Sequence, residues 1–373
     1  MDLLGQVDAT RMRATVEKLA SWHDRNTNNP TLFEAADWIV GEFRKIPGLQ
    51  VELFRYQIHK AQRIPADKEV VEVVATLPGA TVRRVMVGGH FDTINMKEAD
   101  LTSGRAPGAN DDASGVALTL EMARILSQRK WNQTLVFCVF SGEEQGLLGS
   151  RALAKHAKEQ GWKIDAVFSN DMVGNSSNNL GMHDDTQIRV FSDEADAHQS
   201  RECARFIELI ARNAGIKAGR KNFGVKLVFR KDRFGRGGDH TPFNEEGFTA
   251  VRFVEPNEEY SRQHTPDDLP EFEDWKYLAN VAKVNLAGIA TLATAAEPPT
   301  RVLIDRKQGH DTRVHWTGKP GLKYVVYWRQ TTSPVWEGVR SVGGVNEATI
   351  ERVSKDDCVF AVGAEGGIPV EAK

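Results

Sequence analysis

Cysteine is scarce in this chain: three in 373 residues, Cys138, Cys203 and Cys358, far apart and without a Cys-x-x-Cys spacing. That excludes a disulfide scaffold and a thiolate zinc site. Cys138 lies inside the apolar run 135–140 and reads as a buried small hydrophobe. Also missing is any run of the roughly 18 to 20 apolar residues that a membrane span needs. Neither sign of charge dominates, with 48 lysines and arginines against 51 aspartates and glutamates for a net of −3, the two signs interspersed. Such a balance leaves no footprint for nucleic acid and points to a small molecule or a peptide as partner. The opening Met1-Asp2-Leu3-Leu4 has neither the basic nor the apolar region of a signal peptide. The chain is therefore expected to be cytoplasmic, or else a processed form of an exported protein.

The length suits two domains. Apolar positions at helical spacing predict helices over 9–24 and 31–46. Alternating runs over 51–56 and 69–77 predict half-buried strands, followed by a shorter apolar strand over 84–89. From there helices (114–128, 147–160, 199–214, 272–295) alternate with strands (134–140, 164–169, 250–254). This order implies an α/β fold: a mostly parallel, mixed central sheet with helices on both faces. Glu297-Pro298-Pro299 breaks the last helix and divides the chain into a domain over 1–296 and a second over 297–373. The second has short strands with turns every ten or so residues, which predicts a small all-β sandwich resembling a fibronectin type III module. Its Trp316, Tyr324, Trp328 and Trp336 read as core rather than as a ligand platform.

Chemistry concentrates where the strands of the first domain end. The stretch Pro107-Gly108-Ala109-Asn110-Asp111-Asp112-Ala113-Ser114-Gly115 runs from a Gly/Asn loop straight into a helix through two adjacent aspartates. These are either metal ligands at the carboxyl end of a parallel sheet or a helix cap. His90, Glu143-Glu144, Asp171 and His264 occupy corresponding positions after other apolar runs. Singly, each has a bland alternative: a satisfied core histidine, a solvated helix start, a cap, a loop residue. Together they are several carboxylates converging on one crevice, which repel unless a multivalent cation sits among them.

In this order the motifs resemble peptidase family M28, the co-catalytic zinc peptidases. They are Gly89-His90-Phe91-Asp92, Pro107 to Gly115, Ser141-Gly142-Glu143-Glu144-Gln145-Gly146, Asn170-Asp171-Met172, Gly238-Asp239-His240 and Gln263-His264-Thr265-Pro266-Asp267-Asp268. The likeness covers roughly residues 10–296 and implies a zinc-peptidase fold binding two zinc ions. Asp111 would bridge the ions, with His90 and Asp171 completing one set and Glu144 and His264 the other. Glu143 would be the general base for the water held between the ions. Asp92 would orient the His90 imidazole, and a cis peptide would join Asp111 to Asp112. Asp239 is open between a supporting role at the site and a helix N-cap.

The implied activity is an exopeptidase, with an aminopeptidase acting on a peptide or aminoacyl substrate placed first. A carboxypeptidase, a dipeptidase and a single-zinc glutaminyl cyclase are the alternatives within the fold, and a binding protein that has lost its chemistry is the alternative outside it. An aminopeptidase needs an acid for the substrate ammonium, and Glu255, with the Tyr260 phenol for the oxyanion, is one expected lining. The Arg/Gly-rich run 229–238, which includes Arg236, reads either as an exposed loop or as a basic lid. The β-sandwich is expected to pack beside the catalytic domain or to tether it to a surface or polymer. Such modules accompany exported enzymes, which favours an exported location if a leader has been removed.

Overall fold

The computed structural model describes residues 2–98, 100–193, 199–232 and 237–373. Local signals set the helix ends. Helix α1 (Ala9–Leu19) starts behind Asp8, whose carboxylate accepts from the main-chain N–H groups of Thr10 and Arg11. Helix α2 (Thr31–Arg44) follows Pro30, whose fixed φ suits a helix entry, and buries the stripe Leu32, Ala35, Ala36, Ile39, Val40 and Phe43. Strands β1 (Gln50–Ile58) and β2 (Lys68–Leu77) form an antiparallel ribbon. They lead to β3 (Arg83–His90), β4 (Thr134–Phe140) and β5 (Lys163–Asn170). All seven residues of β4 are buried, as a strand covered on both faces requires.

The remaining elements of the larger part are α3 (Ser114–Leu126), α4 (Leu148–Glu159), β6 (Gln187–Phe191) and α5 (Ser200–Ala214). After them come the two-residue strands β7 (Lys217–Ala218) and β8 (Lys221–Asn222), then β9 (Gly224–Val228), α6 (His240–Glu245), β10 (Ala250–Val254) and α7 (Trp275–Thr294). Eight strands make one sheet in the order β1-β2-β4-β3-β5-β10-β6-β9. Its centre, β4-β3-β5-β10, is parallel. Alternate residues along these strands enter different cores. Val85, Val87, Phe137, Val139 and Phe168 pack with α1, α2, α3, α5 and α7, whereas Met86, Val136, Cys138, Phe140 and Val167 pack with Leu153 of α4 and Phe243 of α6. The period of two thus assigns helices to both faces. Among the described residues no helix is long and apolar enough to cross a membrane.

Helix α7 ends at Thr294, and beyond it lie β11 (Thr300–Ile304), β12 (Thr312–Thr317), β13 (Tyr324–Gln330), β14 (Gly338–Gly343), β15 (Glu347–Ile350), β16 (Cys358–Ala364) and β17 (Val370–Glu371). They form two antiparallel sheets, β11-β12-β15 and β14-β13-β16-β17. Val302, Val314 and Trp316 of the first face Tyr324, Val326, Phe360 and Val362 of the second. A second apolar cluster fixes this β-module to the α/β body, where Trp336, fully buried, packs with Tyr327, Ala361 and Leu209 of α5. Arg205 Nε and Arg212 Nη2 of α5 donate to the carbonyls of Pro334 and Trp336 at 3.0 and 2.9 Å. A separate contact lies at the amino ends of β3 and β5, where Arg83, Lys163 and Ile164 line a 370 Å³ cavity with Gly367 and Ile368 of the module.

Most expected elements occupy their expected places, a residue or two longer or shorter. The helix expected over 9–24 stops at Leu19 because Arg25 is drawn inward to main-chain carbonyls, which pulls the following turn off the helix path. Strands β6, β9 and β14 have no counterpart in the sequence reading.

Candidate metal centre

The expected residues meet at the carboxyl end of the parallel strands. His90 is the last residue of β3, Asp171 follows β5 directly, and β4 runs through Ser141-Gly142 into Glu143 and Glu144. The loop before α3 brings Asp111 over them. This loop is pinned from three sides. Arg25, fully buried, donates to the carbonyls of Phe91 (2.6 Å), Pro107 (2.5 Å) and Gly108 (2.9 Å), and burial pulls its pKa down to about 10. Asp268 accepts from the main-chain N–H groups of Asn110 and Asp111, both at 3.0 Å. Asp112 accepts from the N–H groups of His90 (3.0 Å), Gly115 (2.9 Å) and Met172 (3.2 Å), tying β3, α3 and the end of β5 to one carboxylate. The Asp111–Asp112 peptide bond is cis. Gly108 has φ 53°, and a Cβ there would lie 2.2 Å from Thr93 Cγ2 and 2.5 Å from the Asp111 carbonyl, so no other residue fits.

Asp111 presents one oxygen to each imidazole. Its Oδ1 is 3.0 Å from His90 Nε2 and its Oδ2 is 3.1 Å from His264 Nε2. Asp171 Oδ1 lies 3.9 Å from His90 Nε2, and Glu144 Oε2 lies 3.0 Å from His264 Nε2. The ligand atoms of His90, Asp111 and Glu144 are all within 4.8 Å of one another, as are those of His90, Glu143 and Asp171. The cluster opens into a cavity of 580 Å³ lined also by Arg63, Met96, Leu147, Arg252 and Gln263. Glu143 lines it with a carboxylate that makes no hydrogen bond to any described residue, and burial holds its pKa well above the usual carboxylate range.

Donor chemistry and electrostatics fit a cation. The buried Nε2 of His90 and Oε1 of Glu144 have no hydrogen-bond partner among the described residues, although carboxylates stand about them. Burial works against a proton on His264, yet Glu144 and Asp111 push its pKa up to about 11. His90 is likewise raised, Asp111 and Asp171 outweighing burial. A site that draws protons onto both of its imidazoles is short of positive charge, and imidazole with carboxylate is a donor set that suits zinc. His90 Nδ1 is 3.1 Å from the Asp92 carbonyl oxygen, a contact that places the proton on Nδ1 and leaves Nε2 free to coordinate.

Four expectations need correction or qualification. The Asp92 carboxylate stands 3.6 Å from His90 Nδ1, so its main-chain carbonyl orients the ring; the carboxylate instead accepts from the main-chain N–H groups of Glu143 (3.3 Å) and Glu144 (3.2 Å). Glu255 is no lining for an ammonium, because it is fully buried behind the loop and accepts from Asn110 Nδ2 and the Asn175 N–H, both at 2.9 Å. Tyr260 is 59% exposed and its phenol donates to Glu258, away from the cavity. Asp239 is buried and does not cap α6; burial pushes it up to about 7, and the charges of Asp171 and Asp92 add to that. Arg236 lies outside the described residues.

Several residues of the site escaped sequence reasoning. Arg252, in the middle of β10, is fully buried with Nη2 2.9 Å from Asp171 Oδ2 and Nη1 on Asp232. Those two carboxylates keep it charged against the cost of burial. Gln263 Nε2 donates to Asp111 Oδ2 at 2.7 Å. A cation inside the strand Ala250–Val254 was the available signal for Arg252, and the motif beginning at Gln263 was the signal for that residue; Arg25 offered none.

Residues 72–289 match the model of peptidase family M28. The chain is 35% identical over 408 residues to a probable zinc metalloprotease of Leptosphaeria maculans, with 98% of this chain and 93% of that protein covered. It is 36% identical over 417 residues to a probable zinc metalloprotease of Pyricularia oryzae, covering 97% of this chain and 81% of that one. Among solved structures, the fold is like that of Legionella pneumophila LapA (TM-score 0.62, 22% identity, 78% of this chain and 75% of that one). An aminopeptidase from Aneurinibacillus sp. strain AM-1 (0.60, 18%, 79% and 96%) and a glutaminyl cyclase from Fimbriiglobus ruber (0.57, 18%, 75% and 94%) share it.

Proposed function

Since the chain belongs to peptidase family M28 and is a zinc metallopeptidase, we propose that it is a two-zinc exopeptidase that removes N-terminal residues from peptides. The observation that carries this reading is Asp111, with one oxygen facing His90 and the other facing His264. His90, Asp111 and Asp171 would hold one ion, and Asp111, Glu144 and His264 the other. Bound zinc would polarise the scissile carbonyl and bring the pKa of a water toward neutrality.

Glu143 supplies the base. Its uncommitted carboxylate, made more basic by burial, takes the proton of the attacking water and delivers it to the nitrogen of the leaving amine. Asp92 holds the main chain of Glu143 and Glu144 together, so base and ligand keep a fixed offset. Glu143→Ala is expected to lower kcat by about a thousandfold or more while leaving zinc bound; unchanged turnover would remove Glu143 from this role. Metal analysis of the zinc-saturated protein tests the count, with two ions per chain expected.

A single-zinc glutaminyl cyclase is the second reading, supported by Arg252, whose charge occupies one oxygen of Asp171. One zinc per chain together with cyclisation of N-terminal glutamine would favour it. The β-module is inferred to be fibronectin type III-like, a separate domain from residue 297 onward, and its division of seven strands three against four supports this.

A further inference from the structure

The cavity over the metal centre has one cationic wall with no assigned use. Arg63 stands in the tight turn between β1 and β2, where Ala61 and Ile64 exchange main-chain hydrogen bonds of 3.0 and 3.1 Å. Ile64 is buried and fixes the turn to the body. The carbonyl of Arg63 accepts from Asn28 Nδ2 at 2.9 Å, and its Nη1 donates to the carbonyl of Glu144 at 2.6 Å. The residue is thus anchored at its root and at one nitrogen, beside a metal-ligating position, in the cavity it shares with Glu143 and His264.

A guanidinium carries five N–H donors in a rigid fork. One of them serves the Glu144 carbonyl, and no carboxylate pairs with Arg63 among the described residues. Arg252, the other arginine of the cavity, differs in this respect, because Asp171 and Asp232 hold it. A preorganised, half-buried guanidinium facing acidic ligands across a cavity is a receptor for a carboxylate, which it can take through two parallel N–H bonds. Its anchor on the main chain of Glu144, in the cavity it shares with Glu143 and His264, puts the carboxylate it would take on the same side of the cavity as the bond being cut.

We propose that Arg63 is a specificity residue that binds a substrate carboxylate, so that the enzyme prefers short peptides with a free carboxylate next to the scissile bond. The inference rests on the exopeptidase reading of the site. A chain-terminal carboxylate and an acidic side chain offer the same chemistry, and three substrates separate them: leucyl-alanine, leucyl-alaninamide and leucyl-aspartic acid α-amide.

With the zinc-loaded full chain, kcat/KM for leucyl-alanine is expected to exceed that for leucyl-alaninamide by about tenfold to a hundredfold, mostly through KM. Arg63→Gln should bring this ratio toward one, and Arg63→Lys should keep part of it. A preference for the aspartyl amide over the alaninamide that is lost in Arg63→Gln assigns the carboxylate to a side chain, within the same proposal. The inference is overturned if the wild type does not discriminate, or if Arg63→Gln lowers all three substrates alike, the signature of a residue that only positions Glu144. Absence of turnover on all three substrates overturns the exopeptidase reading and this inference with it.

Discussion

At the scale of single residues, the metal centre depends on acids and cations that touch no substrate. Asp92 shows this: its carboxylate receives the N–H groups of both Glu143 and Glu144. Asp92→Asn would set an NH2 group against one of those donors. Zinc affinity and kcat/KM are each expected to fall about tenfold to a hundredfold, measurable by competition with a chromophoric chelator and by steady-state kinetics. Gly115 is constrained by space rather than by charge. A Cβ there would stand 2.3 Å from the Asn170 carbonyl and 2.5 Å from Asp112 Oδ2, so Gly115→Ala should lose about 2 to 3 kcal/mol in a urea titration. The six residues around the cavity were legible because His90 ends an apolar strand, Glu143, Glu144 and Asp171 follow one closely, Asp111 and His264 stand in the loops beyond β3 and β10, and the order of their motifs resembles that of family M28. Their props were not legible: Arg25 reaches Gly108 across 83 positions and Asp268 reaches Asn110 across 158. Contacts at such separations leave no period in the sequence, and an arginine or aspartate is given its task by what folding sets beside it.

At the scale of elements, legibility followed burial. The strands β3, β4, β5 and β10 read as apolar runs because helices cover both of their faces, and the helices read from their buried stripes. Strands β6 and β9, five residues each, lie toward one edge of the sheet, and β9 has no fully buried residue, so its pattern is too weak to stand out. Strand β14 is exposed or half-exposed along its whole length for the same reason. The start of α7, expected at 272, falls at Trp275 because an aspartate caps it there. Asp274 accepts from the N–H groups of Lys276 and Tyr277 at the start of α7, and Asp274→Ala is expected to cost about 1 kcal/mol of stability by chemical denaturation with little change in zinc binding.

Across the whole molecule, two bodies of different construction are joined along α5 and at the amino ends of β3 and β5. The join is apolar and tight at Trp336. Trp336→Ala is expected to lower stability by about 3 to 5 kcal/mol while leaving kcat/KM within about twofold, since neither Trp336 nor the residues it packs against line the cavity of the metal centre. Chelation should act on the α/β body instead. Stripping zinc leaves the acids of the centre facing one another, and the thermal midpoint should fall and recover on adding zinc back, by an amount that grows with free zinc concentration. The arrangement also decides how the protein can be handled. A bead, a fluorophore or a fusion partner joined to Lys373 sits on the β-module, none of whose residues lines the cleft, so the attachment would touch no side chain that holds metal or peptide.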